Sequence, residues 1–146
     1  MLDISWEGIA HHLVKLLVSF LFALPLGYDR ETSDKSLGLR TFPLVAMTSC
    51  GFILMANAVL SSDDARSRII QGLITGIGFL GGGAIVKQGV DVRGTATAAG
   101  IWTTAAIGAA VAYNRYEIAI SLAIVTFLTL RYLPALKKVS DGSPRD

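Results

Sequence analysis

The sequence predicts an all-α integral membrane protein of about five transmembrane helices, and three observations carry that expectation. Hydrophobic residues make up 52% of the 146 positions and charged residues only 16%, against about 25% charged in an ordinary soluble domain. Mean hydropathy is +0.55, whereas a small soluble domain has a large surface to cover with polar residues. The charges are also clustered, leaving apolar runs close to the ~20 residues that cross a bilayer as a helix. The same numbers exclude intrinsic disorder. The length suits one domain, read as a membrane domain over 1–135 and a short cytoplasmic tail over 136–146.

The first run spans Ile9–Leu26. Asp3 and Glu7 precede it without a Lys or Arg, the wrong start for a cleaved signal peptide, so it is expected to be retained. Lys15, inside this run, is expected to snorkel toward the outer headgroups. The second run, Thr41–Leu60, holds the single cysteine, Cys50, expected as a packed core residue, and Asn57, a lone amide suited to helix–helix contact. The third, Ile69–Val86, contains Gly72, Gly76, Gly78, Gly81, Gly82 and Gly83. So many glycines allow the helix to break or to re-enter where it lines a cavity. The fourth and fifth runs are Thr95–Ala112 and Glu117–Leu133, and Trp6, Tyr113, Tyr116 and Tyr132 fall at the expected interfaces.

Orientation follows from the Lys and Arg of the connections. With the N-terminus outside, the inner side holds Arg30, Lys35, Arg40, Lys87, Arg93, Arg131, Lys137, Lys138 and Arg145, and the outer side Arg66, Arg68 and Arg115. The bias of nine to three places the N-terminus outside and the C-terminus in the cytoplasm. The basic residues form no single face, so nucleic acid is not an expected partner.

Residues 76–81 read Gly-Ile-Gly-Phe-Leu-Gly, a literal GxGxxG. The dinucleotide fingerprint needs a strand before it and an acid about 20 residues on; neither is present. Gly83 is followed by Ala84, which excludes a phosphate loop of the GK[ST] type. Helix packing explains the glycines better, because small residues let helix backbones approach in lipid. Gly72 with Gly76, and Gly78 with Gly82, are GxxxG steps. Ala96, Gly100, Thr104, Gly108 and Ala112 recur every four residues along the fourth run. The third and fourth runs are therefore expected to pack tightly, with each other or across a dimer, so a homo-oligomer is expected.

The polar residues bordering apolar runs are the candidate functional cluster. Asp29, Arg30 and Glu31 follow the first run and Arg40 opens the second, where a charge is costly unless paired or facing water. Asp29 is expected to pair with Arg40. Arg68, Gln71 and Thr75 share one helical face and are expected as a second polar site near the outer side, in a buried network or a permeation path. Asp63 and Asp64 read as helix caps, and His11 and His12 lack further ligands for zinc. No nucleophile–base constellation assembles, so no enzymatic role, metal or cofactor is expected.

Four blocks resemble the MgtC/SapB family of bacterial inner-membrane proteins: Leu26-Gly27-Tyr28-Asp29-Arg30-Glu31; Lys35 to Val45, reading KSLGLRTFPLV; Arg68 to Gly83, reading RIIQGLITGIGFLGGG; and Val92 to Trp102, reading VRGTATAAGIW. The family usually has Leu-Glu where this chain has Tyr28-Asp29, so the acid is one methylene shorter. Many relatives carry a C-terminal domain resembling an ACT module, and no such domain is expected within these 146 residues. The resemblance implies a five-helix inner-membrane protein linked to magnesium homeostasis and, in pathogens, to survival inside host cells. It further implies action through other membrane proteins, including the F-type ATP synthase and P-type cation pumps, rather than transport. Two readings stand at this point: a regulatory membrane protein whose small-residue stripes bind partner helices, or a transporter or channel subunit with a polar path through the bundle.

Overall fold

Five helices form over the five apolar runs in a computed structural model that describes residues 5–34, 38–88 and 91–140. They are α1 (Trp6–Asp34), α2 (Thr41–Val59), α3 (Asp63–Gly83), α4 (Thr95–Ala112) and α5 (Tyr116–Ser140). Two short strands, β1 (Val86–Gln88) and β2 (Asp91–Arg93), pair antiparallel with Lys87 opposite Val92. Gly94 follows with φ +82°, and a Cβ there would collide with the Ala84 carbonyl, so the return from hairpin to α4 requires glycine. Lys35, Lys137, Lys138, Arg145 and the tail beyond Ser140 lie outside the residues, or the side chains, that are described.

Several boundaries differ from the sequence expectation. α1 is 29 residues long, about 43 Å at 1.5 Å per residue, so it outruns the ~30 Å hydrocarbon layer and absorbs much of the expected first loop. α5 likewise continues through 136–140. α3 begins at Asp63 rather than Ile69. The N-cap is Ser62, whose hydroxyl accepts from the Ala65 N–H at 3.2 Å; Asp63 and Asp64 occupy the first turn, where they favour the helix dipole without capping it. The glycines do not unwind α3, which stays helical to Gly83; the end of the third run becomes the hairpin instead.

α1, α2, α4 and α5 are long and apolar enough to cross a membrane. α3 has the length, at 21 residues, but Arg66, Arg68, Gln71, Thr75 and its glycines dilute its apolar content. Helices successive in the chain alternate in direction. The Lys15 ammonium reaches the Ala112 carbonyl and the Arg30 guanidinium reaches Leu130, so α1 runs antiparallel to α4 and parallel to α5. α2 and α4 run parallel, since Gly100 faces Phe42 and Gly108 faces Ala46. The C-terminal end of α3 meets the start of α4 at Gly81 and Ala98. One end of the bundle thus gathers the α1–α2 connection, the hairpin and the end of α5; the other gathers the start of α1 and the α2–α3 and α4–α5 turns.

The core lies between α1, α2, α4 and α5. Leu26, Phe42, Ile53, Ile107 and Val111 are fully buried, and ten of the 18 residues of α4 are buried. The small-residue stripe explains why α4 sits at the centre. Gly100, Thr104, Gly108 and Ala112 are buried, and the backbones of α2 and α4 touch at Gly108 and Ala46. The stripe therefore packs on α2, not mainly on α3 as expected, and Ala96 at its start is exposed. Within α3, Gly72, Gly76, Gly78 and Gly82 have nothing within 4 Å of an added Cβ. These glycines make no tight seam inside one chain, and α3 buries only Ile77 and Gly81.

Candidate functional site

The expected cluster after the first run assembles on the last turns of α1, with a different pairing. Asp29 and Arg30 are 3% and 7% exposed. The Arg30 guanidinium donates twice to one Asp29 oxygen, from Nη2 at 2.5 Å and Nε at 3.1 Å, and Nη2 also donates to the Leu130 carbonyl at 3.2 Å. Arg131 of α5 stands 3.8 Å from the other Asp29 oxygen. A buried carboxylate and guanidinium therefore tie α1 to α5. The expected Asp29–Arg40 pair does not form. Arg40 is exposed at the start of α2, while Arg30 is the adjacent residue and already shares the buried side of α1.

Glu31 is also drawn in, through a backbone contact rather than a cation. Its Oε2 accepts from the Leu39 N–H at 3.1 Å. The chain crosses itself there: a Cβ on Gly38 would stand 2.6 Å from the Gly27 carbonyl and 2.5 Å from the Glu31 nitrogen. Only glycine at both positions lets the α1–α2 connection lie against the helix. The blocks around Gly27 and Gly38 thus form one structural unit, with Asp29 and Arg30 beneath it.

The second expected cluster does not form a buried network. Arg68 is exposed and pairs with Asp64 at 3.2 Å, one turn away on the same helix. Gln71 and Thr75 are exposed, and the Thr75 hydroxyl donates to the Gln71 carbonyl at 2.9 Å. Asn57 is exposed too. The stripe is real as a helical face, but in a single chain it points away from the bundle.

One buried cation was misread from the sequence. Lys15 is 5% exposed, and its ammonium donates to the Ala112 carbonyl at 3.1 Å. It does not reach for the headgroups. The last carbonyls of a helix lack intrahelical partners and favour a positive charge, and α4 has no basic residue of its own in its last turn. That deficit, beside a lone lysine in an apolar run, was the available signal. Lys15→Glu would set a carboxylate against those carbonyls and is expected to cost more than the ~1–3 kcal/mol of one unmade buried hydrogen bond. Lys15→Met should cost less, because it removes the charge together with the donor. Thermal unfolding in detergent checks the order; equal melting of the two variants would show that the contact carries no charge preference.

The buried charges are therefore split between two ends, with Leu26, Phe42, Ile53, Ile101 and Ile107 filling much of the interior and the Ser19 and Thr104 hydroxyls there donating to the carbonyls of Lys15 and Gly100 in their own helices. The arrangement can hold a charged tie at one end and present a polar helix face at the other.

Comparison with known proteins agrees with the four blocks. The MgtC family profile matches residues 16–139. Among curated relatives, the protein MgtC of Brucella abortus is 39% identical over 103 residues, covering 70% of this chain and 43% of its own length. The protein MgtC of Salmonella typhimurium is 35% identical over 114 residues, covering 78% of this chain and 48% of its own. The protein SrpB of Synechococcus elongatus is 31% identical over 149 residues, covering 93% and 80%. The chain thus spans less than half the length of the MgtC proteins it matches. No solved structure matches it. With the profile covering most of the chain, and the glycine crossing and buried Asp29–Arg30 pair lying inside the matched region, the chain belongs to the MgtC family.

Proposed function

We propose that this chain is a regulatory protein of the bacterial inner membrane, linked to magnesium homeostasis and to growth at low magnesium, which acts through other membrane proteins. The N-terminus lies outside and the C-terminus in the cytoplasm. Membership of the MgtC family supports the link to magnesium, and the ATP synthase and P-type cation pumps are the partner classes that the family resemblance implies. The observation that carries the regulatory reading is how the bundle is filled: Asp29 and Arg30 are sealed at one end, Arg68, Gln71 and Thr75 lie on the outward face of α3, and the interior is apolar apart from Ser49 and the Ser19 and Thr104 hydroxyls, which donate to carbonyls of their own helices. A permeation path needs polar groups or water along its length. The orientation is supported by Arg30, Arg40, Lys87, Arg93 and Arg131 lying at the end opposite Arg66, Arg68 and Arg115.

The test uses both readings. A strain lacking the chain is expected to grow poorly at low magnesium and to recover with the wild-type protein, whereas the purified protein in liposomes should carry no magnesium flux above empty vesicles. Flux that is lost in Gln71→Leu would instead support the transporter or channel-subunit reading.

A further inference from the structure

α3 is bordered by two grooves. The larger, about 630 Å³, runs between α2 and α3 and is lined by Leu44, Thr48, Ser49, Arg68, Gly72 and Gly76 among others. Ser49 is 1% exposed, and its hydroxyl oxygen has no hydrogen-bond partner. A buried unpaired polar atom is costly, more so where no water competes. Beside the groove, α3 carries its exposed polar face, and the glycines at 72 and 76 leave room for close approach. Asp64 and Arg68 on that face are of opposite sign and one turn apart.

These features fit one occupant. We propose that a second copy of the chain docks through α3, with the two copies related by a two-fold axis along the bilayer normal and the Gln71 amide of each entering the α2–α3 groove of the other at the depth of Ser49. The depths agree: from the shared α2–α3 turn, Gln71 lies about 12 Å along α3 and Ser49 about 15 Å along α2 at 1.5 Å per residue. A Gln amide both donates and accepts, so it can satisfy the Ser49 hydroxyl in either sense once that side chain, whose oxygen is covered in the single chain, turns toward the groove. A two-fold pairing presents the same patch on both sides, which sets Arg68 of each copy near the acidic residue one turn before it on the other. The glycines let the two helix backbones approach, as small residues do in lipid. Gln71 and Thr75, which would otherwise face hydrocarbon, are covered in the same step.

The experiment is cysteine crosslinking in membrane vesicles, in a Cys50→Ala background, with oxidation by copper phenanthroline. Thr75→Cys is expected to give a covalent dimer, and Leu17→Cys and Val125→Cys, on the exposed faces of α1 and α5, only monomer. In detergent, light scattering should give a dimer mass for the wild type. Gln71→Leu should weaken association about tenfold, equivalent to ~1.4 kcal/mol. Gly72→Leu should give monomer with unchanged far-ultraviolet circular dichroism, since its Cβ meets nothing in the chain's own fold. A monomeric wild type, a groove filled by lipid alone, crosslinking through residue 17 or 125 instead of 75, or full dimer in both variants would overturn the proposal.

Discussion

Asp29→Asn is expected to destabilise the protein by about 3–5 kcal/mol, because it leaves the Arg30 guanidinium buried without its carboxylate. Arg30→Gln should cost less than Asp29→Asn, because the Asp29 carboxylate keeps Arg131 at 3.8 Å from its other oxygen. The double variant should recover much of the loss, since a buried pair removed together leaves no stranded charge. Arg131→Gln supplies the contrast. Its side chain is 60% exposed and stands 3.8 Å from Asp29, so its loss should fall in the range of surface pairs, below ~1 kcal/mol. Thermal or denaturant unfolding in a mild detergent reads all four, and strictly additive single effects would mean that Asp29 and Arg30 are solvated separately. Growth at low magnesium, measured on the same set, separates structure from activity: a double variant that is stable and still supports growth would make the pair structural only.

Gly108→Leu is expected to prevent folding. Even a methyl group at this position falls inside the Ala46 backbone, which cannot swing aside as a side chain can. The loss should exceed the ~1–3 kcal/mol of ordinary overpacking, because α2 and α4 would have to separate along their whole seam. Gly100→Leu meets the Phe42 ring instead, at 2.8 Å from an added Cβ. That ring can shift, so this variant should fold with reduced stability. Yield of detergent-soluble protein and its melting temperature check the order, and a Gly108→Leu protein that melts like the wild type would remove the α2–α4 contact from the fold.

How far the sequence could be read depends on whether a feature is periodic or positional. The apolar runs located all five helices, because a bilayer imposes a length and forbids unsatisfied backbone. The four-residue spacing of Gly100, Thr104 and Gly108 correctly marked a close-packing helix. It could not name the partner, since a stripe records how near a backbone comes and not whose. The same limit made the glycines of α3 look like those of α4, although one set is filled by α2 and the other is open. Asp29 was legible as a residue needing a partner, because it abuts an apolar run. Its pairing with Arg30 was not legible, since neighbours on a helix are about 100° apart and only burial against Leu130 brings the two side chains together. Lys15 was misread for a related reason: its partner is a carbonyl 97 residues away, and a backbone acceptor leaves no mark in the sequence.

The parallel course of α2 and α4 bears on what α3 is for. Two adjacent helices that run the same way across a membrane need a third stretch of chain to return from the end of one to the start of the other. α3 and the hairpin make that return, from Ser62 to Gly94. The load on α3 is thus one of reach: it must traverse the thickness of the bundle, while most of its surface owes nothing to the core. Its outward residues are released from the demands of folding, so Arg68, Gln71 and Thr75 could be shaped by what lies beyond the chain without disturbing what holds it together.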